Sequence, residues 1–282
     1  MPEFTDAHGI DIVYDVHAAK TTPRAVVQLL HGLGEHAGRY AALVESLTNE
    51  GYIVYADDHR GHGRTGMKQH GDRAGLGRLG AGGHRAAEDA IWQLTQLIRA
   101  ENPGLPLVLL GHSWGSFLSQ ILFNDHPDGY DALILSGSAL RWPGSLNAGD
   151  LNAPWKHKDA KGVEWLSSDL TVGDAFLDDE LTTTEPMLKL FGPMAAVRIF
   201  GKPRKNVGHD IPALLLVGRD DTVGGPRSVH KLADAYRSRS GLTDVTTLVY
   251  PGARHEIFNE FVQADVRADV VAWLDKRFPA RD

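Results

Sequence analysis

The 282-residue chain carries a formal net charge of −7 and a pI near 6.0, with 42% hydrophobic and 23% charged residues. That composition suits an ordinary globular protein with a sizeable core, and without a basic stripe neither nucleic acid nor a strongly anionic surface is an expected partner. It contains no cysteine, which excludes disulfides, thiolate metal sites and a Cys nucleophile.

The first residues, Met1 to Asp6, have neither a charged n-region nor an apolar h-region, and no apolar run approaches membrane-span length. A cytoplasmic protein is the expectation. Residues 10–16 and 24–30 read as early strands, after which Tyr40, Leu43, Val44 and Leu47 recur at helical spacing. Gly51 supplies a stop, and residues 52–55 form the next strand, followed by a loop rich in Asp, His and Gly. Ala87, Ile91, Leu94 and Ile98 mark the apolar face of a helix ending before Pro103. Residues 105–110 read as a buried strand, 116–126 as a helix and 132–135 as another strand.

Periodicity weakens between Leu140 and His209, although Trp142, Trp155, Trp165 and Phe176 lie there. Within that stretch Met187, Leu190, Phe191 and Met194 recur at helical spacing just after Pro186, which suits a first-turn position. Strands return at 213–217 and 245–250, and Phe258, Val262, Val266, Val270 and Trp273 predict one face of a last helix. This alternation predicts an α/β fold, a mostly parallel central sheet covered by helices on both faces. Residues 140–209 are expected to form an inserted cap, with 1–139 and 210–282 forming the core.

The chemistry centres on Gly111-His112-Ser113-Trp114-Gly115, at the end of one strand and the start of a helix. A Ser between two glycines in that context is the pattern of a nucleophile elbow, which lifts the hydroxyl above the sheet edge. A serine hydroxyl needs a base within hydrogen-bond reach and a third group to orient that base. With 14 histidines, abundance cannot choose the base, but topology can. The last strand runs into Gly252-Ala253-Arg254-His255 and the one before it into Gly218-Arg219-Asp220-Asp221, so nucleophile, acid and base follow three strands in the hydrolase order. Ser113, Asp221 and His255 are therefore the expected triad, with Asp220 a loop-bracing residue. His209 precedes a strand and His230 sits within a helical stretch, so both read as surface residues, and His112 reads as structural packing.

The developing oxyanion needs backbone donors, expected from the N–H of Trp114 and of Leu33 in the glycine-rich loop His31-Gly32-Leu33-Gly34. His31, Glu35 and His36 lack the helical H-E-x-x-H order of zinc proteases, and no glycine cluster continues as G-K-[ST]; no metal site and no phosphate- or dinucleotide-binding loop is expected.

These residues resemble a known family. His31-Gly32-Leu33-Gly34-Glu35-His36-Ala37-Gly38-Arg39-Tyr40 resembles the H-G-x-G-E-H-x-x-R-Y segment of the monoacylglycerol lipase and lysophospholipase family, and Asp58-His59-Arg60-Gly61-His62-Gly63 its D-x-R-G-H-G loop. Gly111 to Gly115 fits the family's G-H-S-x-G elbow, with Trp114 standing where Met is common. Gly218 to Asp221 fits G-x-x-D and Gly252 to His255 fits the terminal G-x-x-H. The resemblance implies an α/β-hydrolase fold and a cofactor-free serine esterase, with roles for Ser113, Asp221, His255, Leu33 and Trp114. The expected substrate is a small monoester with a hydrophobic part, similar to a monoacylglycerol or lysophospholipid. Three other readings stay open at this point: a prolyl-type aminopeptidase, whose G-G-S-W-G elbow Trp114 resembles, a xenobiotic monoester hydrolase and a triad-bearing small-molecule receptor. Membrane contact by the cap is also open, and the chain predicts no oligomeric state.

Overall fold

The computed structural model describes residues 2–147 and 149–280, with the side chains of 193–196 outside the description. Eight strands form one sheet in the order β1-β2-β4-β3-β5-β6-β7-β8. They are β1 Glu3–Thr5, β2 Asp11–His17, β3 Ala25–Leu30, β4 Tyr52–Asp57, β5 Leu107–His112, β6 Ala132–Ser136, β7 Ala213–Gly218 and β8 Val245–Tyr250. The β1–β2 and β2–β4 pairs are antiparallel, and every other pair is parallel.

The helices are α1 Ala41–Asn49, α2 Gly63–His70, α3 Gly83–Glu101, α4 Trp114–Asp125, α5 Leu170–Asp178, α6 Met187–Ile199, α7 Gly225–Ala235 and α8 Gln263–Asp275. Two apolar layers explain the run-like strands. In β5, Leu107 and Leu109 enter one core with Ile91 and Leu94 of α3, Leu118 and Leu122 of α4 and Leu232 of α7. The alternate residues Val108 and Leu110 enter the other, with Leu43 and Leu47 of α1 and Val266 and Val270 of α8. A strand buried on both faces reads as a nearly continuous apolar run, because successive side chains point to opposite sides. No helix among the described residues is long and apolar enough to cross a membrane.

Some elements depart from the sequence expectation. β1 is a three-residue edge strand, too short to carry a pattern. α2 contains polar residues and two glycines, and it forms because neighbours fill its hydrogen bonds: Thr65 Oγ1 accepts Val13 N–H at 2.9 Å and Asp58 Oδ2 accepts Arg64 N–H at 2.8 Å. Phe258 belongs to a separate 3₁₀ turn, Ile257–Asn259, because Glu260 is extended (φ −85°, ψ 168°) and interrupts the helix before α8. Pro186 lies one residue before α6, and Gly192 breaks that helix with φ 74° and ψ 167°, so the predicted stripe holds only for Met187, Leu190 and Phe191. The Met194 side chain lies outside the described residues.

Between β6 and β7 the chain holds α5 and α6 and is tied to loops at one sheet edge. Thr183 N–H donates to Gly34 O at 2.8 Å, and Glu256 N–H to Leu166 O at 2.7 Å. His36 Nε2 meets Asp179 Oδ2 at 2.8 Å.

Candidate active site

The elbow follows β5 directly. Ser113 has φ 54° and ψ −122°, and Asn206 is the other non-glycine residue of positive φ among those described. Such a backbone costs roughly 1–3 kcal/mol and persists only where its surroundings hold it. Ser113 N–H donates to Ser136 O of β6 at 2.9 Å, and Ser116 Oγ donates to Ser113 O at 2.6 Å. The flanking glycines are required by close approach: a Cβ on Gly111 would lie 2.4 Å from Gly115 O, and one on Gly115 would lie 2.3 Å from Leu30 O.

The loop after β7 buries Asp221 and leaves the Asp220 side chain exposed. The loop after β8 delivers His255, whose Nδ1 lies 3.0 Å from Asp221 Oδ2. Asp221 Oδ1 accepts Val223 N–H at 2.8 Å, so both carboxylate oxygens are used. Burial disfavours the imidazolium of His255, but the adjacent Asp221 outweighs it and holds the pKa above the ordinary 6.5. His255 Nε2 is buried without a hydrogen-bond partner among the described residues, Ser113 Oγ included. Hydrogen bonds between a nucleophile and its base often form fully only around a bound substrate.

Ser113 and His255 share a cavity of about 580 Å³ with Leu33 and Trp114. Much of its wall is apolar, with Val163, Leu166, Phe176, Met187 and Ile199 contributed by the chain between β6 and β7. Trp114 is the first residue of α4, so its N–H belongs to the turn that lacks an intrahelical acceptor. His112 also lies close to the site: its ring centroid is 4.8 Å from that of His255, and its Nδ1 lies 3.1 Å from Ser136 Oγ. Burial and the neighbouring His255 push its pKa well below the ordinary range, so it stays neutral. His230 is exposed on α7, and His209 Nε2 lies 3.2 Å from Tyr130 O.

A model of the Hydrolase_4 family, described as serine aminopeptidase S33, matches residues 21–261. The chain belongs to this family. It is 33% identical to a monoacylglycerol lipase of Mycolicibacterium smegmatis over 96% of this chain and 95% of that protein. It is 26% identical to human monoglyceride lipase, over 98% of this chain and 91% of that one. A lipase solved in an open form superposes with TM-score 0.80 at 28% identity, covering 99% of this chain and 98% of the other. A carboxyl esterase from Bacillus coagulans in complex with glycerol shares the fold at TM-score 0.82 and 23% identity, over 98% and 97% of the two chains. The chain is an α/β-hydrolase similar to the monoacylglycerol lipases, and its class is that of a carboxylic ester hydrolase.

In this Hydrolase_4 member several buried polar residues brace the site, and their roles were not legible in the sequence. Glu35 Oε1 accepts Gly32 N–H and Tyr40 O–H, both at 2.6 Å, which pins the loop that carries Leu33. Arg39 donates to Glu35 Oε2 at 2.9 Å and bridges both oxygens of Glu256 at 2.6 and 2.8 Å. The cluster thereby ties the loop after β3 to the residue next to His255. Burial raises the Glu35 pKa, an effect that Arg39 opposes, while burial works against the Arg39 charge and the two carboxylates more than compensate. Spacing offered one signal, since Glu35 and Arg39 stand four residues apart, but Glu256 is reached only through the fold. Arg39→Met is expected to destabilise the protein by about 3–5 kcal/mol, because it leaves two buried carboxylates without their shared cation. Urea unfolding of the two proteins measures this difference; equal midpoints would rule out the cluster as a stabilising tie.

His31 braces the same loop from below. Its Nδ1 lies 2.7 Å from Gly32 O, and its Nε2 accepts His59 N–H at 2.9 Å. The His59 ring stacks on it at 3.9 Å while His59 Nδ1 meets Asp57 Oδ2 at 2.7 Å. Burial, with His59 and His62 nearby, holds the His31 pKa well below 6.5. A neutral ring is what this bonding needs, since one nitrogen donates and the other accepts.

Proposed function

We propose that the protein hydrolyses carboxylic monoesters with a hydrophobic part, similar to monoacylglycerols, through an acyl-enzyme formed on Ser113. The observation that carries this reading is that His255, held from behind by the buried Asp221, shares one largely apolar cavity with the strained Ser113 elbow. His255 Nε2 takes the proton of Ser113 Oγ as that oxygen attacks the ester carbonyl carbon. The N–H groups of Leu33 and Trp114 hold the resulting oxyanion, and Asp221 holds His255 through Nδ1. Collapse breaks the bond to the alcohol oxygen, which receives the proton from His255. Water then attacks the acyl-enzyme by the same route, releasing the acid and restoring Ser113. Residues 140–209 act as the cap, which supplies the apolar wall that excludes water. The substrates named for the Mycolicibacterium and human relatives support a monoacylglycerol as the substrate type.

The family description favours one second reading, cleavage of an N-terminal residue from a peptide. An aminopeptidase must hold a free ammonium, but each carboxylate lining the cavity already faces a cation: Glu35 and Glu256 share Arg39, Asp150 meets Lys156 at 2.5 Å and Glu185 meets Lys189 at 2.6 Å. That favours the ester. One kinetic panel of monoacylglycerols, lysophospholipids, phthalate-type half-esters and proline arylamides tests it. Preference for the arylamides would replace the ester reading, and a single turnover without release would point to a receptor.

The pH profile offers a separate check. His255 must be neutral to accept the proton, so activity falls as pH drops through its pKa, which Asp221 holds above 6.5. The acid limb of kcat/KM is therefore expected above 6.5, and an acid limb below that value would mean that burial outweighs Asp221 at His255.

A further inference from the structure

Trp114 has a second feature besides its backbone N–H. Its side chain is fully buried, and the indole Nε1 donates to His84 Nε2 at 3.0 Å. Indole nitrogen only donates, so His84 Nε2 must be the acceptor and His84 Nδ1 must carry the proton. That proton points to Glu88 Oε1 at 2.7 Å, and Glu88 Oε2 accepts from Arg198 of α6 at 3.1 Å. Burial works against the Glu88 charge, but His84 and Arg198 hold its pKa below the usual carboxylate range. The bonds thus run in one direction, from indole through imidazole to a carboxylate anchored on α6. They fix the indole plane.

The fixed ring has an apolar neighbour on its far side. Trp114 lines the 580 Å³ cavity, while Phe191 lines a second cavity of about 240 Å³ whose wall mixes Leu79 and Leu190 with Arg78 and Lys189. The two rings meet with centroids 5.2 Å apart, and the His84 ring stands edge-on to both, at 5.7 Å from Trp114 and 5.8 Å from Phe191. We infer that Trp114 and Phe191 form a partition, clamped by His84 and Glu88, which ends the substrate cavity and limits the length of the apolar chain that the ester carries. The inference rests on the ester reading above and specifies which chains that site takes. Without either ring the two cavities join, and a longer chain gains room beyond the partition, where Leu79 and Leu190 offer it apolar side chains to bury against.

The test compares kcat/KM for a short and a long chain, so that a general loss of activity cancels. Two series serve, 4-nitrophenyl esters from butanoyl to hexadecanoyl and acetates of the matching alcohols, which separate an acyl chain from an alcohol chain at the partition. Trp114→Ala and Phe191→Ala are each expected to raise the long-to-short ratio at least about tenfold in one series, since single methylenes in an apolar pocket already count for that much. His84→Leu releases the indole and shifts the ratio the same way by less, whereas His84→Gln keeps an acceptor and keeps the wild-type ratio. A residue that merely stabilised the fold would lower all rates together and leave the ratio alone. Unchanged ratios in both alanine variants, with Ser113 still labelled by a fluorophosphonate, overturn the partition. If Trp114→Ala fails to fold, Phe191→Ala, away from the elbow, decides alone. A wild-type protein that hydrolyses neither series and takes no label refutes the ester reading itself, and the partition with it.

Discussion

Ser113→Ala is expected to lower kcat/KM by roughly 10⁴-fold or more while leaving the fold intact. A triad acts as a unit, so loss of its nucleophile removes the covalent route and leaves what the oxyanion donors and binding supply alone. The variant relieves no packing, because Ser113 is half-buried at the cavity floor. Ser113 sits at φ 54°, and alanine tolerates that backbone no better than serine, so stability should change little. Steady-state kinetics on a monoacylglycerol, with fluorophosphonate labelling of both proteins, reads the result. Stoichiometric labelling of the alanine variant would mean that another residue is the nucleophile.

The second large effect separates neighbouring aspartates. Asp221→Asn is expected to lower kcat by about 10⁴-fold, as loss of the orienting carboxylate does in comparable triads. The geometry supplies the reason. Both oxygens of Asp221 accept N–H groups, one from His255 Nδ1 and one from Val223. A primary amide has only one acceptor, so either orientation turns its NH₂ toward a donor. Either the imidazole loses its tautomer and orientation, or the loop loses its turn. Asp220→Asn, whose side chain is exposed, is expected to change kcat by less than about threefold, in keeping with ordinary surface substitutions. Parallel kinetics on the two variants decides the matter, and the reverse ranking would move the acid to Asp220.

Much of this was readable along the chain, for a simple reason. A parallel strand buried on both faces shows as a continuous apolar run, and β3, β5, β6 and β7 are such runs in whole or in large part. Their carboxyl ends then follow from where the runs stop, and the residues just beyond are the ones a hydrolase uses. α2 escaped because its helix is held by Asp58 and Thr65 through contacts with other elements, not by its own periodicity. The continuation of α8 back to Phe258 failed because apolar spacing says nothing about a backbone that turns extended at Glu260.

The sequence by itself determined the strand order along the chain, the glycine-flanked Ser113 at the end of β5, and the placing of Asp221 and His255 after β7 and β8. Those are local properties, set by side-chain periodicity and by positions where only glycine fits. Only the tertiary structure decided which charges meet. It joined Arg39 to Glu256 across 217 positions of chain, set the His112 ring against His255, and hung the Trp114 indole on His84, Glu88 and the α6 residue Arg198. Burial makes such pairings obligatory, since a polar group removed from water must find a partner, but the partner is chosen by the path of the whole chain.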